Sequence, residues 1–390
     1  DDILVGGTAT VRITSPGGIA LGASGDDTVI VTEGNADVIL IAEAGAITDA
    51  TGDASTIKLT GGGDLKLTAT TGIGTSSTPI QTEALTDFAA TTAGSVGVFV
   101  TNTSSGVVNI TTVDSTAGVT DTSTGAITII NTGRNITVTS VVTAASGNVT
   151  LTGAIFDVNA SIAGNTVVIT ASGAIDVAAA ARVIAGGDST ALTITALGIV
   201  LNAGTSVANA TVTNTGSGTI TLTSTGAGDI TLAVNAISIA DGLLTLTATA
   251  DDIIVVTNST ATEIDADGDI TLDGAAIGAT NGGLDIVGDN GGDRTLTVIS
   301  SAAGGEDIDI DLATTDQFSA VSVTLADATS SIDILLGGTD LIDIDGATSL
   351  STINQVTLTT AGAAFTYELN EGNITATAGV TTTGNQSDTG

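Results

Sequence analysis

One short phrase recurs along this chain: a glycine or turn residue, then aliphatic residues alternating with Thr or Asp. GDITL stands at 228–232 and again at 268–272, GTITLT at 218–223, GNVTLT at 147–152, GAITII at 125–130 and GDLKLT at 63–68. Alternation with period two puts one set of side chains on each face of an extended strand, so each phrase reads as a half-buried β-strand closed by a turn. In 268–272, Ile270 and Leu272 share one face, and Asp269 and Thr271 the other. In DIDIDL (307–312), Ile308, Ile310 and Leu312 point one way and Asp307, Asp309 and Asp311 the other. Recurrence of such a unit is the sequence signature of a repeat architecture.

Glycine-led phrases begin near 125, 147, 173, 198, 218, 242 and 268, with further strands such as NITVT (135–139), TVVIT (166–170) and ALTIT (191–195) between them. A period in the low twenties holding two or three short strands matches one coil of a parallel β-helix, in which each strand stacks on its equivalent about 4.8 Å away. At roughly 22 residues per coil the chain predicts about 17 or 18 coils. The expected fold is therefore all-β, a rod-like parallel β-helix (β-solenoid) running as a single continuous body over 1–390. Two stretches depart from the rhythm: an irregular excursion at about 75–95, which holds Pro79 and Phe88, and a small break at about 313–320.

The rival architecture is a tandem array of immunoglobulin-like β-sandwich domains. Such domains usually carry a large aromatic in the core, and their linkers usually carry Pro. This chain has no Trp, one Tyr (Tyr367), five Phe and two Pro. A narrow core of stacked Val, Ile, Leu and Ala needs no large aromatics. About a quarter of the residues are Ser or Thr, well suited to a solvated, pleated outer wall.

With 42 acidic and six basic residues the formal net charge is −36. So acidic a chain repels nucleic-acid backbones and anionic membrane surfaces, and no apolar run approaches the ~20 residues of a membrane-spanning helix. Neither nucleic acid nor membrane insertion is expected. The absence of His and Cys excludes a Ser-His-Asp triad, a disulfide and any His- or Cys-ligated zinc site. No G-x-x-x-x-G-K phosphate loop occurs.

Taken together, the GxITLT, GNVTLT and GDITL phrases, the Thr/Gly/Asp wall and the closing VTTTGNQ phrase (380–386) resemble large bacterial surface exoproteins of the filamentous-hemagglutinin-like and β-strand-repeat type. The resemblance covers most of the chain. It implies a right-handed β-helix passenger, an extracellular or cell-surface location, and a structural or adhesive role.

Carboxylates carry the remaining chemistry. Residues 251–345 hold 20 acidic groups and one base, Arg294. Asp265, Asp267 and Asp269 are closely spaced, Asp307, Asp309 and Asp311 line one strand face, and Asp343 with Asp345 repeat that pattern. Hard oxygen donors so arranged suit Ca²⁺, although neither an EF-hand loop nor a G-G-x-G-x-D array is present. No cofactor is required; calcium is the one ligand these residues invite, and a solvated carboxylate wall is the alternative. Asp309 with Asp311, or Asp343 with Asp345, could also form the paired acids of a polysaccharide-cleaving β-helix, but the cationic and aromatic groups that usually accompany them are scarce, and the chain does not read as an enzyme. The expected function is an extracellular structural protein, a subunit or segment of a cell-surface filament or surface layer; the alternative is an adhesin arm. A β-helix end is an exposed sheet edge that proteins normally cover, and neither DDILV nor QSDTG reads as a cap. The expected partner is therefore the chain itself, end to end or laterally, or the rest of a longer polypeptide.

Overall fold

In a computed structural model the β-branched and leucine-rich phrases form short parallel strands, and the sole helix among the described residues is a single 3₁₀ turn, Val207–Asn209. The structure describes residues 3–22, 29–49, 56–103, 106–188, 190–248, 250–256, 261–278, 283–288, 294–300, 308–312, 320–325, 331–336, 341–346, 352–353, 355–370, 375–376 and 380–388; from 331 onward it gives the course and pairing of strands. The described residues make about 11 turns of all-β solenoid. They pack as two compact units, 1–186 and 187–390, each described by itself.

In the first unit three parallel ladders rise together. Ile3–Val5 pairs with Ile30–Thr32, and that with Ile57–Leu59. Val11–Ser15, Val38–Ala42 and Leu65–Ala69 form the second ladder; Ile19–Leu21, Ala46–Asp49 and Gly72–Ile73 form the third. The coil is 27 residues where Ile3 meets Ile30, 29 where Asn102 meets Asn131 and 18 where Val149 meets Val167. Strands paired at the last two of these positions keep the same length, six residues in Gly97–Asn102 and Ala126–Asn131 and five in Val149–Gly153 and Val167–Ala171, so turns absorb the difference. This is why a period read from the strand phrases comes out too uniform.

The stretch 75–95 contributes two strands in register. Ile80–Glu83 stacks on Gly97–Asn102 and Asp87–Thr92 on Leu65–Ala69, so the irregular part shrinks to a turn near 74–79, closed by the Thr75 N–H donating to Thr78 O at 3.0 Å. Alternation is hidden there because Phe88, Ala89 and Ala90 are buried in succession, with no polar–apolar contrast among them. The break at 313–320 lies, but for Ala320, outside the described residues.

The second unit repeats the plan. Thr190–Ala196, Thr219–Ser224, Leu244–Ala248, Ile270–Gly274, Thr295–Ser300, Ala320–Leu325 and Leu341–Gly346 stack in one parallel ladder. Another runs through Val212–Asn214, Ile237–Ile239, Ile264–Ala266, Leu284–Val287 and Ile308–Leu312. The inward columns are aliphatic: Leu192, Ile220, Leu244, Ile270 and Leu296 align in register and all have zero exposure. Each such side chain contributes roughly 1.5–3 kcal/mol of burial relative to an exposed one.

Two devices fix the turns. Gly97, Gly125 and Gly147 stack so tightly that a Cβ on Gly147 would lie 1.9 Å from the Gly125 carbonyl oxygen, and Gly97 also has φ +98°. The other device is a buried Asn, Asp or Ser at a strand end, four residues before a glycine. Asn214 donates to Gly218 O and Ser224 to Gly228 O, while the Gly125 N–H donates to Asp121 Oδ1 at 3.1 Å. Asn102 Nδ2 donates to Asn131 Oδ1 at 2.8 Å, and Asn131 Nδ2 to Asn135 O at 2.7 Å, an amide ladder linking successive coils.

Candidate functional site

The second unit gathers the acidic groups. Parallel register places Asp285 opposite Asp311 on adjacent coils. One coil earlier, the Glu263 N–H donates to Asp285 O, while the Asp285 N–H donates to Glu263 Oε2 at 3.0 Å. Glu263, Asp285 and Asp311 thus form a carboxylate column, with Asp309 two residues along the last strand. Gly283 backs onto that strand: a Cβ there would lie 2.6 Å from Asp311 Oδ2 and 3.0 Å from Asp309 Oδ1. Like charges stacked across a sheet repel. Glu263 is 1% exposed, and burial, then the Asp285 and Asp311 charges, push its pKa up to about 7 against the help of backbone N–H groups. Burial and the neighbouring Asp311 and Asp309 push Asp285 up to about 6.

A second group joins Asp229, Asp251 and Asp252, half-buried, with one carboxylate oxygen of each within 4.8 Å of the others. Asp229 accepts from the Asp252 N–H at 3.2 Å, and Asp252 from the Ala276 N–H at 2.9 Å. Burial, followed by the Asp229 and Asp252 charges, raises the pKa of Asp251. Three oxygen donors at this spacing are a geometry a hard cation such as Ca²⁺ can use.

Of the calcium ligands anticipated from sequence, Asp309 and Asp311 fall in the carboxylate column, where Glu263 and Asp285 join them. Asp265 lies half-buried on Ile264–Ala266, in register with Ser238 and Val287. Asp267 and Asp269 line an open cleft of about 330 Å³ with Asp241, Leu243 and Arg294; Asp269 also accepts from Thr295 N and Oγ1 at 2.8 and 3.1 Å. Arg294, 4% exposed, donates to Ala266 O at 2.6 Å and Gly288 O at 3.3 Å, so it holds turn carbonyls together. Asp343 and Asp345 pair in register with Ser322 and Thr324 on one side and Glu368 and Asn370 on the other. Asp307 lies outside the described residues. Sequence reading missed Asp229, Asp251 and Asp252, because the 23-residue spacing of Asp229 and Asp252 becomes one coil only once register is known.

Two columns of threonine lie on the outer face of the same ladder. Thr193, Thr221, Thr245, Thr271 and Thr297 stand in register on five consecutive coils, and Thr195, Thr223 and Thr247 form a second column two residues along, which continues as Asp273. All eight threonines are half-buried.

In the first unit an antiparallel hairpin interrupts the solenoid. Thr112–Val113 pairs with Thr116–Ala117 around Asp114 and Ser115, whose φ values are +43° and +66°. Positive φ at both central residues is the type I′ turn, normally Asn-Gly; Asp-Ser gives no such signal in sequence. The hairpin packs on Asp87–Thr92. There Arg12, Ile39, Lys66 and Ala89 stack in one outward column, and Ile39 and Ala89 are buried nonetheless. Asp114 accepts from Arg12 at 2.6 Å and Lys66 at 3.1 Å, and these hydrogen bonds hold its carboxyl below the usual range.

Among the described residues no helix is long and apolar enough to cross a membrane. The fold defines a β-solenoid repeat protein. Compared with known protein families, curated proteins and solved structures, the chain matches none.

Proposed function

We propose that the chain is an extracellular structural protein, a segment or subunit of a cell-surface filament or surface layer. The observation that carries this reading is the parallel pairing of the described strands within each unit: successive coils are hydrogen-bonded to one another across ladders whose inward columns are mainly aliphatic. Such stacking distributes stability along the solenoid axis, which suits a load-bearing or spacing element. The resemblance of the repeat phrases to filamentous-hemagglutinin-like and β-strand-repeat exoproteins points the same way, as does the strongly acidic outer wall, which keeps a long β surface soluble. Calcium bridging the grouped carboxylates would offset their mutual repulsion.

An adhesin arm is the second reading, and the 112–117 hairpin favours it, since an insertion on one face of a solenoid is a usual place for a binding surface. Electron microscopy of native protein, with and without a calcium chelator, tests the proposal. Long filaments or sheets with a fixed axial repeat are the expected result, shortened by chelator if calcium bridges the carboxylates. Isolated particles at high protein concentration, saturably binding a host or surface ligand, would overturn it in favour of the adhesin.

A further inference from the structure

We propose that the paired threonine columns of the 187–390 unit form a face that binds ordered water, specifically the surface of ice. The pairings from Leu192 to Ser300 carry the two columns across successive coils without slippage. Equivalent hydroxyls therefore repeat about 4.8 Å apart along the ladder and roughly 6.7 Å apart along each strand. A two-dimensional net with one oxygen at each node and spacings of this order resembles the oxygen layers of hexagonal ice. Single surface threonines have no such periodicity.

The residue type fits the task. Thr presents a hydroxyl that can join a hydrogen-bonded water net and a methyl that sits in its hollows. Branching at Cβ restricts χ1, so the pair of groups is held in one orientation before binding, and a pre-organised surface loses less entropy on association. Among the described residues, none donates to or accepts from any of the eight hydroxyls. Behind the net, the inward Leu and Ile columns are fully buried and fix the strands.

Charge sets this face apart. In a chain of net charge −36, the eight nodes are neutral and the first three rows carry no carboxylate; Asp269 and Asp273 flank Thr271 in the fourth row. Ionised groups impose their own hydration and would break a lattice match. The corresponding ladder of the first unit shows what an interrupted net looks like: Thr150 and Thr152 form one full row, but Thr128 is followed by Ile130 and Thr170 preceded by Val168. The inference is independent of filament formation, because one chain carries the whole face.

The test uses the purified full chain. Its partition into a slowly growing ice hemisphere and its effect on single ice crystals are measured beside Thr221→Lys, Thr245→Lys and, as a control, Thr132→Lys on an exposed turn of the first unit. The parent and the Thr132 variant are expected to enrich in ice and produce faceted crystals with a thermal-hysteresis gap. The Thr221 and Thr245 variants are expected to lose both effects while keeping the parent's circular-dichroism melting curve. Should a lysine variant unfold, Thr245→Val, which keeps the shape and deletes the hydroxyl, is expected to shrink the gap in a folded protein. Exclusion of the parent from ice would overturn the proposal, as would a gap unchanged in folded Thr221 and Thr245 variants.

Discussion

Replacing Glu263 by Gln should stabilise the protein at neutral pH, and the effect should vanish in acid. Glu263 is 1% exposed and its pKa is raised from 4.5 to about 7. Between those two values the folded chain holds a proton that the unfolded chain has released, so stability falls as pH rises. The favourable contribution is complete below about pH 4.5 and is lost as pH passes through 7. A shift of this size corresponds to as much as about 3 kcal/mol. Gln keeps the shape and an oxygen for the Asp285 N–H but cannot ionise. Urea unfolding of both proteins at pH 4, 5, 6, 7 and 8 should give curves that coincide at pH 4 and diverge steadily, with the variant up to about 3 kcal/mol more stable at pH 8. Parallel pH profiles, or a variant less stable than the parent at pH 8, would refute the claim that an ionised carboxylate is held here at a cost.

Three further outcomes follow from the turns and the hairpin. Asn102→Ala removes the acceptor of the Leu85 N–H and the donor to Asn131 Oδ1; chemical denaturation should register a loss of about 1–3 kcal/mol, whereas Thr132→Ala on an exposed turn should stay within about 0.5 kcal/mol. Gly147→Ala must push its methyl against a carbonyl oxygen at 1.9 Å, so coils separate and thermal unfolding should show a cost of about 1–3 kcal/mol or more. Asp114→Ala removes the carboxylate that Arg12 and Lys66 share, leaving Lys66 Nζ only the Asp114 carbonyl at 2.8 Å; limited digestion with proteinase K should cut within 112–117 faster than in the parent, and an unchanged pattern would mean that packing and that backbone bond hold it.

The repeat phrases were legible because alternation and glycine punctuation are local. GTITLT, GNVTLT and GDLKLT each became a strand with its Ile, Val or Leu inward, and Ile308, Ile310 and Leu312 are buried as their alternation required. What the sequence hid depends on register. Asp285 and Asp311 look like unrelated residues until one coil separates them, and Arg12 meets Asp114 across 102 positions. The hairpin escaped because its turn is Asp-Ser. The strand at 87–92 escaped because Phe88, Ala89 and Ala90 give no polar contrast, and the strand at 80–83 because its second inward residue is the polar Thr82. The spacing of Asn102, Asp121, Asn214 and Ser224 four residues before a glycine was a usable signal; it marks turns whose backbone groups need a buried partner, a requirement invisible until the turn is closed.

The most direct test of the structural role is X-ray diffraction from oriented native assemblies. Parallel coils stacked along a filament axis should give a sharp meridional reflection near 4.8 Å, with strands perpendicular to the axis. A 4.8 Å reflection on the equator, or native material that forms no orientable assembly, would contradict a filament built from stacked coils.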